Sequence, residues 1–450
     1  MSRAVNQDSN WVGQRPIFYN EVTGARSYRL QDVVDWNDCS LDREGLYYYL
    51  RLGYSGFGRT FVKNVKFSRA WDTDSASSEI FCKFVDKLDF IDTDPDEAFL
   101  SISDWFLRLT ADKSLNLIIP TSGGLDSRLL NIFCQQPEMV DAFSYSLMRD
   151  PAKCREVQVG KAVCDALGIR HRVYEFTQPF DLRPDWNELF DFEIHEHGMY
   201  QLEFYRWLSE SNANKGTVIS GIVGDLWAGK PRLPDIYGPN DLLKLGYSHG
   251  QSVPLGAIAF KTDLEGLQAD FDKFGELFKS RRFRILYLIQ TKMMLLRYLI
   301  DVPRSLGFGV ESPFLDPQIA FKFLTIPENL HEDRRWQFDF LEKQGLGQSF
   351  TSKIKVPDRN EMNFIWSKSF RFPLLDESLF DDLIDDKFIA SINFNLQHMS
   401  FSPLISFIFA TPKLGGALRS IGLNDPLLSA LHAYNILMPV QRFLLRCRNV

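Results

Sequence analysis

The run Ser122-Gly123-Gly124-Leu125-Asp126-Ser127 gathers two hydroxyls, a carboxylate and two glycines in six consecutive residues. An apolar stretch, Leu115 to Ile119, precedes it as a short strand, and helical spacing resumes from Ser127 to Cys134. A run of this kind between strand and helix aims backbone N–H groups at a helix N-terminus, where the dipole favours an anion. Gly123 and Gly124 carry no Cβ, so the backbone can close on phosphate oxygens. Asp126 is a hard oxygen ligand suited to the magnesium ion that neutralises them. A pyrophosphate group fits this chemistry. An ordinary βα turn draws on the same residue types as caps and turn formers. A second candidate is Glu193-Ile194-His195-Glu196-His197. A histidine there could serve as general base on an amine, since its ordinary pKa lies near 6.5. The HxH spacing also suits a metal, although no third ligand lies near in sequence, and two loop-packing histidines are the plainer reading.

The elements that must position these residues alternate strand and helix, the signature of a parallel sheet with helices on both faces. After Leu115–Ile119 and the helix Ser127–Cys134, strands are predicted at Ala142–Leu147, Val173–Phe176 and Thr217–Ser220. Helices are predicted at Cys154–Leu167, stopped by Gly168, and around Leu202–Leu208. In an open sheet of this class ligands bind at the carboxyl edge, so the loops at Ser122, Tyr145 and Ser220 should converge. Upstream, Arg15 to Leu30 reads as a hairpin about Thr23-Gly24, and Leu41 to Leu52 as a helix that Gly53 ends. The polar run Asp72 to Ser78 reads as a linker. The expected division is a β-rich N-terminal block over residues 1–75, an α/β domain over 95–375 and a helical C-terminal part over 376–450. Beyond Gly229 the pattern turns mostly helical, with Phe283 to Val302 the strongest stretch.

With 450 residues, 45% apolar and 24% charged, the chain can bury more than one core. A net charge of −7 and a pI near 5.6 give no electrostatic footprint for nucleic acid. No signal-like start is visible, and even Phe283 to Val302 is broken by Gln290, Lys292 and Arg297, which argues against a membrane span. The six cysteines form no CxxC pair, so reduced thiols and a cytoplasmic setting are expected.

The loop at Ser122–Ser127 resembles the pyrophosphatase loop of the ATP-pyrophosphatase superfamily. Ser220 to Lys230 (SGIVGDLWAGK) and Ser312 to Asp316 (SPFLD) resemble, in order, two further motifs of the class B asparagine synthetases. Arg15 to Phe67 is similar to the end of that family's glutaminase domain. The resemblance reaches to about residue 360. It implies an adenine nucleotide alpha hydrolase-like fold of the ATP pyrophosphatase type. It further implies ATP and Mg2+ as cofactors, with Ser122, Gly123, Gly124, Asp126 and Ser127 on pyrophosphate and metal, and Tyr145 beside adenine. Ser220 and Gly221 would contact the nucleotide, Asp225 would be a second metal or phosphate ligand, and Lys355 would neutralise the leaving group.

Some positions depart from that family. Ser2 stands where glutamine-dependent members start with cysteine, and only about 120 residues precede the glycine loop, so glutamine hydrolysis is not expected. Ile222 replaces a glutamate or tyrosine, Leu226 an acid, and Gly309 and Glu311 an acid and an arginine. The implied activity is an amide-forming ligase that adenylates a small-molecule or peptide carboxylate for attack by ammonia, from a separate glutaminase or free, or by an amine. A non-catalytic nucleotide-binding or scaffolding subunit is the alternative. A tRNA-modifying reaction of the same loop is disfavoured by the acidic charge. No membrane partner is expected, and oligomeric state cannot be read from the sequence.

Overall fold

The computed structural model describes residues 10–72, 76–146, 148, 150–176, 182–211, 216–247, 252–356, 372–398, 408–409, 412–420 and 425–448. Ser2, residues 73–75 of the expected linker and Leu147 at the end of an expected strand lie outside them.

Strand β1 (Phe18–Asn20) pairs antiparallel with β2 (Arg26–Ser27) across the Thr23-Gly24 turn. The same strand pairs on its other side with β3 (Val65–Phe67), giving the order β2-β1-β3. Between them runs α1 (Arg43–Leu52). Asp42 caps it by accepting from Gly45 N at 2.7 Å, and Gly53 ends it in the left-handed region at φ 80°. Both ends follow ordinary capping chemistry, which is why the helix was readable from sequence. Helices α2 (Ala76–Val85) and α3 (Pro95–Leu109) follow.

The larger sheet holds β4 (Leu117–Pro120), β5 (Val140–Ser146), β6 (Arg170–Glu175), β7 (Thr217–Ile219) and β8 (Gly309–Glu311) in the order β6-β5-β4-β7-β8. Every pairing in it is parallel. The chain winds outward from β4 through β5 to β6, then returns to the other side of β4 with β7 and β8. The order therefore reverses between β4 and β7, the point at whose carboxyl ends open sheets of this class bind ligands. Strand β8 was not expected: at three residues, with Gly309 at its start, its periodicity is too short to stand out from the helices around it.

Alternation along β5 separates the faces. Ser144 points toward α5 (Arg155–Leu167), where a Cβ on Gly160 would meet Ser144 Oγ at 2.9 Å. Phe143 and Tyr145 point the other way, against Phe204 and Trp207 of α7 (Tyr200–Ser211). Helices thus cover both faces. Helix α4 (Leu125–Phe133) follows β4 and begins two residues earlier than the sequence suggests, with Gly124 as its N-cap. Helix α6 (Arg183–Phe190) precedes the histidine pair, and a single short turn, α8 (Gly224–Trp227), follows β7. The apolar stretch from Phe283 to Val302 divides into two helices, Arg281–Leu296 and Tyr298–Ser305.

One connected apolar core runs from Trp11 to Phe443. Trp11 stacks on Trp227 with ring centroids 5.7 Å apart and on Phe84 at 5.2 Å, so the N-terminal block and α2 pack beneath the turn after β7. The C-terminal helix Pro426–Arg448 is docked by Arg442, which binds Asp191 at 3.1 Å and also pairs with Glu196. Arg446 adds a contact to Asp191 at 3.3 Å. Cys39 and Cys447 are joined in a disulfide with Cα atoms 5.7 Å apart, which corrects the expectation of reduced thiols throughout. Their 408-residue separation gives no spacing signal, because only the docked helix brings them together. Among the described residues, no helix is long and apolar enough to cross a membrane.

Candidate functional site

The glycine loop leaves β4 at its carboxyl end, on the side of the sheet where β7 is its neighbour, and enters α4. Gly123 sits at φ 70°, and a Cβ on it would lie 2.4 Å from Val159 Cγ1 of α5. Only glycine meets both conditions, the left-handed backbone and the close approach of a neighbouring helix. Ser122 is exposed, and its Oγ accepts from Gly124 N at 3.3 Å. Ser127 is buried and donates to Gly124 O at 3.1 Å. The loop is therefore shaped by its own hydroxyls, while the N–H groups of the first α4 turn have no earlier helical turn to bond.

The turn after β7 faces this loop. A Cβ on Gly221 would lie 3.6 Å from Asp126 Cβ and 3.8 Å from Leu130 Cδ1. Ser220 is buried; its N–H donates to Glu311 O at 2.8 Å, and its Oγ accepts from Ile222 N at 3.2 Å. Val223 holds a left-handed φ of 55° that turns the chain into α8, placing Asp225 on its first turn. Asp225 accepts from Lys230 Nζ at 2.8 Å. Ser122 to Ser127 and Ser220 to Asp225 are thus brought together, as the strand pattern requires.

The electrostatics tie the two loops to each other. Burial pushes the Asp126 carboxyl up to about 6, Arg334 opposes that shift, and the Asp225 charge adds to it. Both carboxylates are hard oxygen ligands of the kind a divalent cation takes, and such an ion would relieve the repulsion between them. Among the described residues no group of three or more side chains gathers as metal ligands, so phosphate oxygens and water would complete such a shell. Burial lowers the Lys292 ammonium, and the charge of Asp225 opposes that shift.

Four further residues singled out by the sequence have the following surroundings. Tyr145 lies at the end of β5 with its ring against Phe176 at 5.3 Å and Tyr200 at 5.6 Å, on the α7 face of the sheet. Lys355 is exposed, and among the described residues it makes no hydrogen bond or ion pair; Arg155 holds its neighbour by donating to Ile354 O at 3.0 Å. His195 is buried at 2% exposure, its Nδ1 accepting from His197 N at 3.1 Å and its own N–H donating to Gly53 O at 2.8 Å. That histidine anchors its segment to the N-terminal block. His197 is half-buried, its ring 6.1 Å from Tyr200 and 6.4 Å from His432.

Sequence reasoning missed two arginines. Arg128 is buried one turn into α4 and donates to Leu346 O at 2.6 Å. Arg334 is buried, and its Nη1 lies 3.5 Å from both Asp126 oxygens across 208 residues of chain. Arg128 follows the glycine loop directly and carried a local signal; Arg334 carried none. Glu311, at the end of β8 beside Ser220, is pushed up to about 7 by burial, with Arg304 opposing.

No family model and no curated protein matches this sequence. Among solved structures the chain is similar to an NH3-dependent NAD synthetase from Campylobacter jejuni subsp. jejuni NCTC 11168 in complex with the nitrate ion. The identity is 14%, the similarity covers 46% of this chain and 96% of that chain, and the TM-score is 0.26, an extent that assigns nothing to this chain.

Proposed function

We propose that the chain is an ATP-dependent amide-forming ligase, asparagine synthase-like and AMP-forming. The observation that carries this reading is the meeting of the glycine loop with the Ser220–Asp225 turn at the reversal of strand order, where Gly221 packs on Asp126. Ser122, Gly123, Gly124 and Ser127 hold the terminal phosphates, Ser220 and Gly221 contact the nucleotide, and Tyr145 lies on the adenine side. Asp126 and Asp225 take a magnesium ion, which when bound offsets charge on the phosphates. An oxygen of the substrate carboxylate attacks the α-phosphorus, and the bond from that phosphorus to the bridging oxygen breaks. Pyrophosphate leaves with its charge met by the loop N–H groups and by Lys355 turning in from the surface. Ammonia or an amine then attacks the acyl carbon, AMP departs, and the nitrogen loses a proton.

Ile222, buried at 2% exposure, offers no polar atom to bind a free ammonium ion at that position, so an amine held in place by the rest of the acceptor suits the site better. Purified protein is incubated with Mg·ATP and a panel of carboxylates, and pyrophosphate release is followed. Release that is lost in Asp126→Ala supports the reading, and absence of both release and ATP binding sinks it. The buried apolar Ile222 also favours a second reading, a nucleotide-binding subunit without catalysis. In that case Asp126→Ala leaves the cellular product unchanged while deletion of the chain abolishes it.

A further inference from the structure

Arg334 is held in place at a conformational cost. Asp333 and Arg334 both occupy the left-handed region, at φ 53° and 62°, in the turn before the helix Arg335–Lys343. For residues with a Cβ that conformation costs roughly 1–2 kcal/mol each, and it persists only where the surroundings impose it. Here it drives a long cation inward, leaving its side chain 7% exposed above the glycine loop.

The partner it finds there is loose. Nη1 stands 3.5 Å from each Asp126 oxygen, at the edge of hydrogen-bond reach, and among the described residues Nε and Nη2 donate to nothing. Other inward-facing arginines are gripped far more closely, Arg183 by Glu196 at 2.9 Å and Arg69 by Asp270 at 2.6 Å. Neither nitrogen is among the sealed-off unpartnered atoms of the described residues, so both open onto space from which a ligand's oxygens can complete the fork.

Burial, with Arg334 and Arg155 adding to it, lowers the Arg128 guanidinium to about 10, while Asp126 and Glu342 oppose the shift. Arg128 and Arg155 spend their donors mainly on carbonyl oxygens, those of Gly124, Leu346, Thr351 and Ile354, and so gain no neutralising partner there. Two guanidinium groups, Arg128 on Gly124 O and Arg334 on Asp126, therefore touch a loop whose own carboxylate is the group a metal ion would take.

We propose that Arg334 binds the terminal phosphates of the nucleotide directly, resting on Asp126 in the free chain and turning its fork to the phosphate oxygens when Asp126 serves the metal. The assignment rests on the nucleotide reading given above and names a cation that the sequence motifs do not contain. It also gives the departing pyrophosphate a bidentate partner that is already buried, whereas Lys355 must come in from solvent. The ligand class is an anion of at least two linked phosphates, the group that the nucleotide reading places on the glycine loop beside Asp126 and Arg334.

The test is calorimetric and needs no turnover. Affinities of Mg·ATP, inorganic pyrophosphate with magnesium, and AMP are measured on wild-type protein, Arg334→Gln, Arg334→Lys and the exposed neighbour Arg335→Ala. Loss of one bidentate charge-assisted contact should weaken ATP and pyrophosphate by roughly 10- to 100-fold, leave AMP within about threefold, and be partly restored by lysine. Arg335→Ala should match wild type. Because Arg334 is buried, thermal melting of each variant accompanies the titrations, and the ratio of ATP to AMP affinity reads the contact independently of any general loss of folded protein. Equal weakening of AMP and ATP, or no weakening of either, overturns the assignment while leaving the nucleotide reading intact. Wild-type protein that binds neither ATP nor pyrophosphate overturns both.

Discussion

Replacing Gly123 by alanine tests the geometry on which the site depends. Alanine at φ 70° costs roughly 1–2 kcal/mol from its own Cβ and carbonyl. The added carbon would also stand 2.4 Å from Val159 Cγ1, 2.6 Å from Val159 Cβ and 3.0 Å from Gly160 N, all on α5. Overpacking of that kind costs about 1–3 kcal/mol, so Gly123→Ala should destabilise the chain by roughly 2–5 kcal/mol in all. Val159 is 5% exposed, and Val159→Ala alone should cost roughly 1–2 kcal/mol for the buried methyl groups removed. In the double variant the clash with Cγ1 is gone while the backbone strain and the approaches to the Cβ of residue 159 and to Gly160 N remain. The two changes should then couple favourably by about 1–2 kcal/mol, measured as a double-mutant cycle by urea unfolding. Additivity within about 0.5 kcal/mol would show that α5 does not pack on the loop as described. The single variant should also lose affinity for Mg·ATP, since the strained loop cannot close on phosphate.

Other outcomes follow from the same structure. Arg442→Ala leaves Asp191 and Glu196, 1% and 0% exposed, short of a cation, and should destabilise by about 3 kcal/mol, the low end for a broken buried pair because Arg446 and Arg183 remain; urea unfolding measures it. His331 has Nε2 on Trp227 O at 2.7 Å and Nδ1 on Arg281 at 2.7 Å, and burial lowers it to about 4. With a folded pKa below the unfolded one, the unfolded chain takes the proton first, so stability falls as pH drops from about 6.5 toward 4, by up to about 3 kcal/mol. Melting curves of His331→Asn across that window should show a shallower acid slope, and identical slopes exclude the effect. Glu311 is shifted upward, so its protonated form is favoured by folding and the associated stability is lost as pH rises from about 4.5 through 7. Glu311→Gln should therefore equal wild type at pH 4 and exceed it at pH 8 by roughly 1–2 kcal/mol after solvent screening of a half-buried group.

What the sequence determined was local. The glycine loop, the capped and glycine-stopped helix Arg43–Leu52, the stop at Gly168 and the alternation of strand with helix were all legible, because each rests on backbone freedom or periodicity within a few residues. Alternation also carried the inference that the loops after β4 and β7 would share an edge, since parallel strands joined by helices allow little else. The tertiary structure decided the rest. Strand order put the reversal between β4 and β7, the short edge strand Gly309–Glu311 completed the sheet, and packing carried Arg334 to Asp126 and Cys447 to Cys39 across 208 and 408 residues. No window of sequence contains such pairs. They exist because buried charge must find a partner and apolar faces must find cover, and those demands are met by whichever distant segment the whole fold delivers.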